Sequence, residues 1–129
     1  SGRLIVHLDP SLLIDARCAP YRSLEQLEAL AGSHHRPAIS APVLYEWRRG
    51  RRQEHELRAQ ERVVPSREAV VFNDEVAEIA ARLYRAIPRP RGREMDIAIA
   101  ACAIEHGAAF WTLNPGDFED IPGLRLYRG

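Results

Sequence analysis

The chain of 129 residues contains no lysine: all eighteen of its Lys/Arg positions are arginine, set against eighteen carboxylates. That absence excludes Schiff-base chemistry, a phosphate loop ending in Gly-Lys-Ser/Thr, and signalling schemes that set a lysine beside an acidic pocket. Cysteine is nearly absent as well. Cys18 and Cys102 are too few and too isolated for a disulfide framework or a thiolate zinc site, and both are expected as free thiols. No apolar run approaches the ~18 residues of a membrane span, and no charged-then-apolar leader is seen, which predicts a cytoplasmic protein without a membrane segment. No repeat and no Pro/Gly/Ser-rich linker divides the chain. Ser1-Gly2 reads as an expression remnant, and residues 3–129 are expected to form one domain. With 46% hydrophobic and 28% charged residues, the composition is that of an ordered globular fold rather than a disordered tail.

What is present alternates in period. Leu4 to Leu8 reads as a strand, and Asp9-Pro10-Ser11 as a helix start with an acidic cap and proline at the first helical position. Ser23-Leu24-Glu25-Gln26 reads as a capping box opening a second helix, with Leu24, Leu27 and Leu30 on one face and Gly32 as its stop. Ala38 to Ala41 is a second strand candidate. Pro42 then begins a helix through Val43, Leu44 and Trp47 toward the arginines at 48, 49, 51 and 52. Asn73 caps a helix carrying Val76, Ile79, Ala80, Leu83 and Ile87 at helical spacing, ended by Pro88-Arg89-Pro90. Met95 to His106 is a helix apolar on nearly every side, stopped by Gly107, and so expected to be buried. Ala108 to Thr112 is a strand, and Leu124 to Tyr127 a final one after Pro122-Gly123. Strands separated by helices predict an α/β protein, a parallel sheet with helices on both faces.

In such sheets ligands sit beyond the carboxyl ends of the strands. Asp9 follows the first strand, Glu46 lies on the helix after the second, Asp96 opens the apolar helix, and Asn114 and Asp117 follow the last long strand. Each has an ordinary reading alone: a helix cap for Asp9, an ion pair with Arg49 for Glu46, a dipole partner for Asp96, a side-chain turn for Asp117. Their convergence on one edge favours a different one. Neighbouring carboxylates repel and raise each other's pKa, which a divalent cation relieves. An all-oxygen donor set selects Mg²⁺ or Mn²⁺ and suits metal-assisted hydrolysis of a phosphodiester.

At these residues the sequence resembles the PIN-domain ribonucleases, and more narrowly the VapC-type toxins of bacterial toxin–antitoxin pairs. Leu4-Ile5-Val6-His7-Leu8-Asp9-Pro10-Ser11 is similar to the family's first strand and acid, with Pro10 where threonine is usual. Ile39 to Trp47, continuing to Gly50, resembles the second acidic motif and places its glutamate at Glu46. Arg93-Glu94-Met95-Asp96-Ile97-Ala98-Ile99-Ala100-Ala101 resembles the third, with its aspartate at Asp96. Thr112-Leu113-Asn114-Pro115-Gly116-Asp117-Phe118 resembles the closing motif. The resemblance implies a PIN-like three-layer α/β/α fold around a mostly parallel sheet of four to five short strands. It also implies a Mg²⁺-dependent endoribonuclease, with Mn²⁺ as substitute, that cuts structured RNA such as tRNA or rRNA. Asp9, Glu46 and Asp96 would hold the metal, and both Asn114 and Asp117 qualify for the fourth position. Ser11 and Thr112 are expected to support these ligands with hydroxyls, since Pro10 supplies neither a hydroxyl nor an N–H. The implied partners are a VapB-type antitoxin and a second copy of the chain. A housekeeping RNA-processing nuclease and a non-catalytic RNA- or protein-binding module remain as alternatives.

Two arginine groups flank the acidic residues: Arg48, Arg49, Arg51 and Arg52 beside Glu46, and Arg89, Arg91 and Arg93 before Asp96. Arg48, Arg49, Arg91 and Arg93 are the expected phosphate contacts, against a solvated face paired to Glu54, Glu56 and Glu61. Tyr45, Trp47 and Trp111 either stack on bases or belong to the core. His7 is expected buried, His34-His35 in an exposed loop, and His106 at a helix end. The helix from Asn73 to Ile87, with Leu83, Tyr84 and Ile87, is a candidate dimer face.

Overall fold

The computed structural model describes residues 3–17 and 22–128, so Cys18 lies outside the described residues. Within them, four strands, β1 (Ile5–Leu8), β2 (Arg36–Ala38), β3 (Ala109–Trp111) and β4 (Arg125–Leu126), form one sheet in the order β2-β1-β3-β4, with every pairing parallel. Val6, His7 and Leu8 of β1 are all buried, as the near-continuous apolar run of a strand flanked on both edges requires. The chain leaves β1 toward β2 on one side and later returns to β3 on the other. Because crossovers in parallel sheets are right-handed, this change of direction between β1 and β3 calls for helices on both faces and for a ligand crevice beyond the carboxyl ends of these two strands.

Six α-helices connect the strands among the described residues: α1 (Pro10–Ala16), α2 (Arg22–Ala31), α3 (Ala41–Arg49), α4 (Glu54–Val63), α5 (Asp74–Ala86) and α6 (Glu94–Glu105). Asp9 caps α1 with Pro10 in its first turn, Ser40 caps α3, and Asn73 caps α5 through a bond from the Val76 N–H at 3.0 Å. In α6 Ile97, Ile99, Ala100, Ala101, Cys102 and Ala103 are all buried, which explains a segment apolar all round. Trp47 on α3 and Phe110 on β3 are among the largest fully buried side chains of the same core.

Several local expectations are corrected. The second strand ends at Ala38. Ser40 turns away as the α3 cap, and the chain at Ile39–Ala41 hydrogen-bonds Val70 instead, Val70 N–H to Ile39 C=O at 2.9 Å and Ala41 N–H to Val70 C=O at 2.8 Å. Ser23 is not a cap: α2 already includes Arg22, and the Ser23 hydroxyl donates to Asp15 on α1, a tertiary partner outweighing the local box. Helix α4 was not anticipated, although Gln53-x-x-Glu56 is a capping box in its own right. Leu83 on α5 and Ile87 at its C-cap belong to the core, and only Tyr84 of the three faces solvent, beside exposed Phe72. His35 does not sit free in a loop, since its Nδ1 accepts from the Leu4 N–H at 3.0 Å. His7 is buried as expected and meets His106 ring to ring, Nε2 to Nδ1 2.7 Å apart.

Candidate functional site

Asp9 is the anchor of the crevice. Its own N–H continues the ladder by donating to the Trp111 carbonyl at 2.9 Å, so the backbone that carries the carboxylate is fixed by the sheet. The side chain is 7% exposed. Its Oδ2 accepts from the Ser11 N–H and from the Thr112 hydroxyl, each at 3.1 Å. Thr112 Oγ1 in turn accepts from the Asn114 N–H at 3.0 Å, and Ser11 Oγ from the Leu113 N–H at 3.1 Å. The loop leaving β3 is thereby stitched to the start of α1, and the carboxylate is aimed before any ligand arrives. Pro10 removes little here, because the first N–H groups of a helix have no intrahelical partner and Ser11 makes the bond to Asp9. Burial raises the Asp9 pKa, the hydrogen bonds of Ser11 and Thr112 hold it back, and the charge of Asp117 adds to the rise.

Asp96, half-buried in the first turn of α6, feels the other acids most. Its pKa is raised to about 6, first by burial, then by the charges of Asp9, Asp117 and Glu46, while Arg93 opposes. Four carboxylates from four elements therefore lie within one electrostatic field. Glu46, on the second turn of α3, also accepts an ion pair from Arg49 at 3.0 Å. Asp117 ends a 3-10 turn, Pro115–Asp117, and is exposed, as is Asn114. No three acidic, histidine or cysteine side chains close into a ready-made cage among the described residues. Nevertheless the donor set fits a hard divalent cation: every donor is oxygen, and the charge is in excess at Asp96 and buried at Asp9, where a cation is most favoured.

The arginines divide. Arg48 is drawn away, bonded to Glu61 at 2.7 Å and to Gln60 and Ser66 at 3.2 Å, clamping α3 to α4. Arg52 donates to the Trp47 carbonyl and lies over the Trp47 ring at 4.2 Å, packed against Gly50, where a Cβ would meet the guanidinium at 2.7 Å. Arg93 is bound to Asp120. Arg49 stays beside the acids with Tyr45, its guanidinium 5.5 Å from the ring centre, and Arg91 is exposed without an ion pair among the described residues. Trp47 and Trp111 are core residues, whereas Tyr45 is 54% exposed. Sequence reasoning did not find Asp120, whose only signal is a partner 27 residues away.

An acid-lined crevice at the crossover of a parallel sheet is common to several folds, and comparison with known proteins decides among them. A family model described as the PIN domain matches residues 7–124. The chain belongs to the PIN-domain family. Among solved structures, VapBC2 from Rickettsia felis bound to a DNA fragment from its promoter is similar to this PIN domain with a TM-score of 0.72 and 23% identity, over 96% of this chain and 98% of that one. A toxin–antitoxin complex from Klebsiella pneumoniae gives 0.71 and 24% over 92% and 94%. FitAcB from Neisseria gonorrhoeae gives 0.70 and 21% over 95% and 96%. At these identities the likeness establishes the fold. No curated protein sequence gives a significant match. Among the described residues of the PIN domain no helix is long and apolar enough to cross a membrane.

Proposed function

We propose that this PIN domain is a Mg²⁺-dependent endoribonuclease, with Mn²⁺ as substitute, that cuts structured RNA such as tRNA or rRNA as the toxin of a toxin–antitoxin pair. The observation that carries the reading is the shared field of Asp9, Glu46, Asp96 and Asp117 at the mouth of the β1/β3 crevice. Asp9, Glu46 and Asp96 would hold the metal, with Asp117 or Asn114 completing the set. The metal, when bound, supplies Lewis acidity that activates water and takes up charge developing on the phosphodiester oxygens. The chain's own residues do the positioning. Ser11 and Thr112 fix the Asp9 carboxylate. Arg49 and Arg91 would hold the RNA backbone, and the exposed Tyr45 ring beside Arg49 would stack on an unpaired base.

The toxin reading is supported by the neighbours, which are toxin–antitoxin complexes. It is also supported by an apolar cavity of about 310 Å³ lined by Leu13, Ala16, Leu24, Leu27, Ala59 and Val63, with the Arg17–Glu56 ion pair in its wall. An amphipathic segment of a VapB-type antitoxin would seat there. A second copy would use the solvent face of α5 at Tyr84 together with Phe72, which precedes the helix. The test is cleavage of a tRNA and rRNA pool by the antitoxin-free protein with Mg²⁺, Mn²⁺ or EDTA, beside Asp96→Asn. Discrete cuts that vanish with EDTA and in the variant support the reading. Intact RNA under every metal condition overturns it.

A further inference from the structure

Arg93 occupies the N-cap of α6, a position that usually carries a side-chain acceptor, and it makes no capping bond. Its guanidinium reaches instead to the loop that follows β3. Nη1 donates to Asp120 Oδ2 at 2.8 Å and Nη2 to Asp120 Oδ1 at 2.7 Å, a bidentate pair, and Nη2 also donates to the Asp117 carbonyl at 2.9 Å. Arg93 stands three residues before Asp96, and Asp120 three residues after Asp117. The three bonds therefore join the turn of helix that carries one acid to the loop that carries another. That loop has little else to hold it at Asp117: a single 3-10 turn closed by Asp117 N–H to Asn114 C=O and Phe118 N–H to Pro115 C=O, each 3.0 Å, with Phe118 plugged into the core. The charge of Asp117 acts on Asp96 and Asp9, and like charges favour a wider separation of the loop from α6. A planar fork that grips both a side chain and a main-chain carbonyl opposes this with defined geometry, which a point charge would not.

We propose that Arg93 and Asp120 form a latch that positions Asp117 beside Asp96, making Arg93 a positioning residue rather than an RNA contact. The proposal rests on the metal-site reading above, and its test separates the two. Charge alone and geometry predict opposite signs for Arg93→Gln and differ for Arg93→Lys. If Arg93 acted only through its charge, Arg93→Gln would tighten cation binding, Arg93→Lys would leave it unchanged, and Asp120→Asn would weaken it. A latch predicts that all three weaken it, because each breaks the bidentate grip. Removing groups that orient metal ligands typically lowers affinity 10–100-fold, and a loss of about ten-fold is expected for Arg93→Gln and Asp120→Asn, less for Arg93→Lys.

The experiment is calorimetric titration of Mn²⁺ into the RNA-free protein, with wild type and Asp96→Asn beside the three variants and melting in EDTA as the folding control. Arg93→Lys keeps the charge at a surface position, so weakened binding in that variant keeps the test decisive should Arg93→Gln lose the fold. At saturating Mn²⁺, KM for RNA and its salt dependence should stay at wild-type values. Tighter binding by Arg93→Gln, unchanged binding by Arg93→Lys, or a raised KM with a reduced salt slope overturns the latch. No Mn²⁺ binding by wild type overturns the metal-site reading, and the latch with it. Wild-type binding lost in Asp96→Asn, with the three variants following charge alone, removes the latch and leaves the site reading standing.

Discussion

Replacing Asp96 by Asn should make the metal-free protein more stable at neutral pH while it destroys activity. The carboxylate sits at about 6 rather than 3.8, through burial and the fields of Asp9, Asp117 and Glu46. At about 1.4 kcal/mol per pH unit, keeping it ionised in the fold costs about 3 kcal/mol, and about half that once its partial exposure is allowed for. The sign follows from the raised folded value. Above about 6 the group is ionised in both states and the penalty is complete. As pH falls through 6 the folded state takes up the proton first, so wild-type stability rises until the unfolded group also protonates near 3.8. Urea denaturation in EDTA should therefore show the Asn variant ahead by about 1–2 kcal/mol at pH 7.5, roughly 4 °C in Tm for each kcal/mol. The difference should shrink toward pH 4.5. Saturating Mg²⁺ should invert the ranking, since a ligand at a hundred times its Kd adds about 2.7 kcal/mol to wild type alone. An Asn variant equal to or weaker than wild type at pH 7.5 in EDTA would refute the reasoning, because Asp96 would then be a net stabilising partner rather than a strained ligand.

The buried His7 titrates in the opposite sense: burial first and then the charge of His106 lower its pKa to about 4 from 6.5. Its stabilising contribution is complete above 6.5 and lost as pH falls toward 4, by up to about 3 kcal/mol; His7→Gln should flatten that part of the stability profile between pH 7 and 4, read by urea midpoints. Thr112→Val keeps the shape but leaves Asp9 without the bond at 3.1 Å, so a fall of at least ten-fold in Mn²⁺ affinity is expected by calorimetry. Tyr45→Ala should raise KM for RNA several-fold with kcat held, whereas Tyr45→Phe, which keeps the ring, should match wild type in steady-state cleavage. Arg48→Ala, which breaks the clamp on Glu61, Gln60 and Ser66, should lower Tm by a few degrees and leave the salt dependence of RNA binding unaltered.

Elements whose causes are local were legible along the chain. Asp9-Pro10 dictates a helix start, Asn73 dictates the cap of α5, and the all-round apolar run after Met95 dictates a buried helix, because capping geometry and side-chain period act within a few residues. The alternation of strand and helix was enough for a parallel sheet, and hence for the edge on which Asp9, Glu46, Asp96 and Asp117 would gather. Tertiary structure alone decided which neighbours those groups acquired. Ser23 lost its reading as a cap because Asp15 on another helix binds its hydroxyl. Arg48 acquired Glu61 and Gln60 on α4 as partners, and Arg93 acquired Asp120, 27 residues away. Leu83 and Ile87 passed from a candidate dimer face into the core because α5 packs on α6. A guanidinium's partner depends on which chain segments the fold brings within 3 Å, and sequence spacing carries no record of that distance.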